Sequence, residues 1–155
     1  MKKIRAVGIL IKNNKILLIH RIKEKEYFVF PGGKVEEGET IKEAVERELL
    51  EETSMKVKVN KLLYHHIYDD NSEQFFYLCD YIKGEPRLSD NSPEKTELEG
   101  VDEVFIPKWF DISTLNKMLL YPLEIRDLFL QDYKSGFMNP VNILKIKVSE
   151  LRQTI

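Results

Sequence analysis

Apolar residues follow two different periods along this chain. In "IRAVGILIK" and "KILLIHRI" aliphatic and β-branched residues dominate, and Asn13-Asn14 stands between the two runs. Asparagine tolerates positive φ, so the pair predicts two strands joined by a tight hairpin turn. "EYFVF" predicts a third, short strand that Pro31-Gly32-Gly33 ends. "KVKVNKLLYHHIY" begins with strict alternation, and "EQFFYLCDYI" is more continuously apolar. These predict two longer strands, the second central and buried. "VFIPKWF" predicts a short strand, with Trp109 packing it against the last helix. "NPVNILKIKVSE" alternates weakly and predicts an edge strand.

The helical period appears twice. Thr40 and Glu43 have the spacing of a capping box, in which the Thr hydroxyl accepts an early backbone N–H and the Glu reaches back. A helix over 41–53 follows. "STLNKMLLYPLEIRDLFLQDY" predicts a helical region broken near Pro122, with Leu123, Arg126-Asp127 and Leu130 fitting a helix from that proline onward. "KGEPRLSDNSPEKTELEGVDE" predicts a long acidic loop before the last strands. Strands interleaved with two helices predict an α/β (α+β) sandwich, a single domain over residues 1–155.

Composition narrows the function. With 43% hydrophobic and 32% charged residues, the chain can bury a core and keep a polar surface. A net charge of -2 argues against a protein that grips a nucleic-acid backbone by bulk electrostatics. It leaves room for a small phosphorylated ligand, because a bound cation can reverse the local sign. The one cysteine, Cys79, lies in an apolar run and forms no internal disulfide. The amino terminus carries no signal-peptide pattern and no run reaches transmembrane length, so the expectation is a cytoplasmic protein with no membrane partner.

The first helix carries the chemistry. At about 100° per residue, Ile41, Val45 and Leu49 form the core stripe, with Glu43 and Glu46 roughly opposite. Glu48, Glu51 and Glu52 lie beside that stripe, at spacings of three and four. Three carboxylates converging at the edge of a core repel one another, and partial burial raises the penalty. A hard divalent cation would offset it, since Mg²⁺ and Mn²⁺ prefer oxygen ligands. A solvated acidic helix with basic neighbours is the alternative. The Gly-Gly pair ahead of the helix favours the cation, because glycine lets backbone approach a ligand closely.

Written as G-x5-E-x7-R-E-U-x-E-E-x-G-U, with U a bulky apolar residue, this stretch resembles the Nudix box. The chain supplies Gly33, Glu39, Arg47-Glu48-Leu49, Glu51-Glu52 and Met55, and departs only at Ser54, where the family usually has glycine. The resemblance implies a mixed β-sheet sandwiched between helices. It implies hydrolysis of a diphosphate linkage in a nucleoside diphosphate derivative, with Mg²⁺ or Mn²⁺ and water. It further implies that Glu48, Glu51 and Glu52 are metal ligands, that the carbonyl of Gly32 faces the metal, and that Glu39 and Arg47 orient the carboxylates. For the general base it offers Glu48 in the box, or an acid of the later loop: Glu94, Glu97, Glu99 or Glu103, with Glu97 ranked first. Arg21 resembles a phosphate-contacting position, or is a strand-end charge. Phe28 is a candidate to stack on a base, as are Phe30 and Tyr77, core packing being the alternative for each. His65 and His66, adjacent on a strand, face opposite sides and cannot line one pocket together. Serine at position 54, in the left-handed conformation of a helix end, would cost about 1 kcal/mol.

The markers of NADH, coenzyme A, ADP-ribose and dinucleoside-polyphosphate enzymes are not evident, which points to a nucleoside triphosphate or modified nucleotide as a small-molecule substrate, without stable nucleic-acid binding. The alternatives are a hydrolase of nucleotide sugars or dinucleoside polyphosphates, and a non-catalytic nucleotide sensor. Monomer and homodimer both stay open.

Overall fold

The computed structural model describes residues 2–87, 103–138 and 141–146. The elements follow in the order β1 (Ile4–Lys12), β2 (Lys15–Lys23), β3 (Lys25–Val29), β4 (Gly32–Lys34), α1 (Ile41–Thr53), β5 (Lys56–Tyr68) and β6 (Glu73–Lys83). After them come β7 (Val104–Asp111), a 3₁₀ turn (Ile112–Lys117), β8 (Leu120–Tyr121), α2 (Leu123–Ser135) and β9 (Asn142–Ile146).

The strands form one mixed sheet in the order β8-β3-β2-β1-β6-β5-β9, with β4 also on β1 and β7 also on β2. β1 and β2 share only their hairpin end, Ile11↔Ile16 and Lys12↔Lys15. Beyond it they part. β1 runs parallel to β6 from Ile4↔Glu73 to Leu10↔Cys79, while β2 runs antiparallel to β7 from Lys15↔Asp111 to Ile22↔Val104. That divergence curls the sheet.

Alternation then sorts the core onto two faces. Val7 and Ile9 of β1, with Ile16 and Leu18 of β2, pack towards Ile125 and Phe129 of α2. Ala6 and Leu10 of β1, with Leu17 of β2, pack towards Val45 and Leu49 of α1. The sheet is thus sandwiched between its helices. Cys79 is buried on the α1 side, where desolvation pushes its thiol up to about 12. Among the described residues no helix is long and apolar enough to cross a membrane.

α1 has the bounds expected, and its capping box is complete: Glu43 N–H donates to Thr40 Oγ1 and Thr40 N–H donates to Glu43 Oε1. Ser54 ends it at φ 62°, with its N–H bonded to the carbonyl of Leu50. β9 is an edge strand, parallel to β5; the expected tail after it lies outside the described residues. His66 is fully buried beside Phe76, while His65, on the other face, stacks on Phe75 at 4.1 Å.

Two expectations are corrected. Gly32-Gly33 do not simply end a strand: they begin β4, because Gly33 and Gly32 pair with Ala6 and Val7 of β1. Trp109 does not pack against the last helix. It is paired with Leu17, whose side chain points to the α1 side, and Trp109 joins that cluster. Its neighbour Phe110, paired with Ile16, takes the α2 side instead.

Candidate active site

β4 and α1 meet edge-on, and the meeting point is acidic. The spacing of four puts Glu48 and Glu52 on one face of α1, beside the buried stripe of Val45 and Leu49. They are 9% and 5% exposed, unusual burial for glutamate. Glu51, one step round the helix, stays partly exposed.

Gly33 makes room for Glu48. A Cβ at Gly33 would stand 2.3 Å from Glu48 Cδ and 2.4 Å from its Oε1. Only the absent side chain lets strand and carboxylate approach so closely. Gly32 fixes the second acid: its main-chain N–H donates to Glu52 Oε1 at 2.7 Å, a charge-assisted bond in a buried setting. The carbonyl of Gly32 accepts from Arg5 Nη2 at 3.4 Å.

Arg47 is the organising cation. Its Nε and Nη2 grip Glu39 in a two-pronged pair at 2.6 and 2.9 Å. Its Nη1 donates to Glu48 Oε1 at 2.9 Å and to Glu51 Oε2 at 3.3 Å, and its Nη2 reaches the carbonyl of Lys34 at 3.1 Å. Glu39 also accepts the N–H of Glu36. The Arg47 guanidinium holds the Glu39 carboxyl below the usual range, and Glu39, then Glu48, hold Arg47 more firmly charged. With Glu36 Oε1 at 3.8 Å from Nη1, four carboxylates (Glu36, Glu39, Glu48 and Glu51) surround one guanidinium, and the patch is left negative.

That donor set, all hard oxygen, fits a divalent cation, and the clearance at Gly33 keeps Glu48 against the strand. Among the described residues no three His, Cys, Asp or Glu side chains are drawn together as a finished metal-binding group. Arg47 is the positive charge that Glu39, Glu48 and Glu51 face.

The remaining expected residues fall elsewhere. Arg21 on β2 is ion-paired with Glu103, and its guanidinium lies 5.2 Å from the Phe105 ring and 5.9 Å from that of Tyr27. Glu103, one of the candidate bases, is thereby engaged by Arg21. Glu94, Glu97 and Glu99 lie outside the described residues. Phe28 stacks on His20 at 4.9 Å, meets Phe110 edge-on at 5.2 Å, and packs against the α2-side core. Phe30 is buried in that core, and Tyr77 packs against the α1-side cluster. The sequence reading did not single out Arg5. Its signal was a charge interrupting an otherwise apolar strand.

Comparison with known proteins places the chain in a family. A profile of the NUDIX domain matches residues 2–129. The ADP-ribose pyrophosphatase of Methanocaldococcus jannaschii is 36% identical over 118 residues, 72% of this chain and 63% of that protein. The chain thus spans less than two thirds of that relative's length. The 8-oxo-dGTP diphosphatase of Escherichia coli is 36% identical over 101 residues, 60% of this chain and 78% of that protein. The fold is similar to the crystal structure of a NUDIX hydrolase from Nitrosomonas europaea, with TM-score 0.71 and 17% identity over 94% of this chain and 79% of that one. Members of this family generally use divalent metal ions. The chain belongs to the NUDIX family.

Proposed function

We propose that this chain hydrolyses a diphosphate linkage in a nucleoside triphosphate or modified nucleotide, using Mg²⁺ or Mn²⁺. The observation that carries the reading is the buried pair Glu48 and Glu52, pressed against β4 with Arg47 as the countercharge on Glu48. An excess of buried carboxylate is a liability for folding alone and is suited to a cation shared with an anionic substrate. The names of the relatives support the substrate class, since ADP-ribose and 8-oxo-dGTP both contain a diphosphate linkage.

Glu48, Glu51 and Glu52 would hold the ion, together with the Gly32 carbonyl. When bound, it neutralises the phosphate oxygens and lowers the pKa of a coordinated water. The protein's part is orientation. Glu39 fixes Arg47, Arg47 turns Glu48 and Glu51, and the Gly32 N–H sets the rotamer of Glu52. Glu48 accepts a proton from the attacking water, with Glu97 of the acidic loop as the other candidate base. Water adds at one phosphorus, and the bridging oxygen leaves with the other phosphate.

A second reading, hydrolysis of ADP-ribose, has its own support: the longer of the two alignments is to a protein named for that substrate. One experiment separates them. Product release is measured from nucleoside triphosphates, 8-oxo-dGTP, ADP-ribose and dinucleoside polyphosphates, with Mg²⁺, Mn²⁺ or EDTA, for the wild type and Glu52→Gln. Metal-dependent turnover lost in the variant upholds the hydrolase, and the substrate turned over names the class. Nucleotide binding by calorimetry without turnover of any compound would make the chain a sensor instead.

A further inference from the structure

A cleft of about 400 Å³ opens beside β4, lined by Lys3, Arg5, Lys34, Ser72, Glu73 and Gln74. Register builds it. Arg5 is paired with Lys34 on β4 and with Gln74 on β6, so the three lie in one row across the sheet. Lys3, two residues before Arg5, follows on the same side. Lys3, Arg5 and Lys34 are all exposed, and the ion pairs among the described residues leave all three out.

Two acids stand nearby. Glu73 accepts Lys2 at 2.7 Å and His65 at 2.7 Å, and these partners hold its carboxyl below the usual range. Asp70 accepts the N–H and Oγ of Ser72 at 2.9 and 2.6 Å, keeps its charge near Lys3, and lies outside the lining of this cleft. Three cations, Lys3, Arg5 and Lys34, line the cleft against the one carboxylate of Glu73, which Lys2 pairs, so the cleft is positive. It is also continuous with the carboxylate patch through one residue: Gly32 donates its N–H to Glu52 and accepts Arg5 on its carbonyl.

We propose that Lys3, Arg5 and Lys34 form an anion subsite for the terminal phosphate of a nucleoside triphosphate. The placement of the substrate rests on the hydrolase reading; the anion affinity does not. Arg5 offers a planar fork to phosphate oxygens, and the two lysines add point charge. The subsite favours a substrate whose phosphate chain ends in a charged group over one, such as ADP-ribose, whose diphosphate is capped by a sugar.

The test uses inorganic tripolyphosphate, titrated calorimetrically into the full chain in EDTA. The wild type binds it, Arg5→Gln and Lys3→Gln each weaken binding roughly tenfold, and Arg5→Lys recovers part of the loss. In the kinetic arm, Arg5→Gln lowers kcat/KM for the triphosphate relative to ADP-ribose by roughly fivefold. A wild type that does not bind tripolyphosphate overturns the subsite, as does an Arg5→Gln protein that binds it equally well or keeps the same substrate ratio. If circular dichroism shows Arg5→Gln unfolded, Arg5→Lys and Lys3→Gln decide the question alone. Absence of turnover on every substrate would defeat the hydrolase reading and leave tripolyphosphate binding to stand on its own result.

Discussion

The main-chain N–H of Gly32 and Oε1 of Glu52 stand 2.7 Å apart, so a strand and a helix fix each other through one charge-assisted bond. Neither residue needs its neighbours in sequence for this. It is the meeting of β4 with α1 that gives the carboxylate a defined rotamer before any ligand arrives.

Gly33→Ala should be far more damaging than its size suggests. The added methyl would overlap the Glu48 carboxylate, with 2.3 to 2.5 Å to its atoms. On the proposed role of Glu48, displacing its carboxylate by an ångström lowers kcat by about 100-fold. Steady-state kinetics alongside thermal unfolding checks this; an Ala variant with wild-type kcat would contradict the clearance argument.

Glu39 links stability to acid. Arg47 lowers its folded pKa below the ordinary 4.5, so the contribution is complete above that value and is lost as pH falls through the folded one. Glu39→Gln should lose about 1 kcal/mol at pH 7 and show a flatter decline below about pH 4.5. Urea unfolding at pH 7, 4.5 and 3.5 reads both effects.

His66 works at a higher pH. Burial, then the nearby His65, lowers its pKa from 6.5 to about 4. The unfolded chain therefore binds more protons between those values, and stability falls as pH drops through that window. A loss of about 2 kcal/mol between pH 7.5 and 5 is expected, and His66→Phe should remove most of it. Denaturant midpoints across the range would show a flat wild-type profile if the imidazole were not held neutral.

Ser54→Gly should stabilise the protein by about 1 kcal/mol, because Ser54 sits at φ 62° where glycine carries no Cβ penalty. It touches no proposed ligand. A rise in Tm of a few degrees is expected by calorimetry; no rise, or a fall, would mean that unfolded-chain entropy outweighs the relieved strain.

Local signals were readable and distant ones were not. The bounds of α1, its Thr40 cap and the left-handed Ser54 follow from residues within one turn of one another, and the sequence reading located them. The spacing of Glu48, Glu51 and Glu52 placed them on one side of α1 for the same reason. The role of Gly32-Gly33 as a strand depends on β1, more than twenty residues earlier in the chain, and nothing nearby announces it. Trp109 shows the same limit: its side was set by pairing with Leu17, and an aromatic in a short strand cannot reveal which face it will take. Arg5 looked like an interruption and proved to be the member of a cross-strand row that only the register discloses.

The position of β1 also sets an order of events during synthesis. This strand is translated well before β6, its long parallel partner, yet β2, β4 and β6 all pair with it. While the ribosome is still making residues 73–79, one edge of β1 has no strand to meet, and β4 has only a half-built platform beneath it. Gly32 and Glu52, by contrast, lie on β4 and α1, and both are made before β6. A nascent chain stalled before β6 emerges therefore holds every residue of the acidic patch on a β1 still open along the edge that β6 will cover.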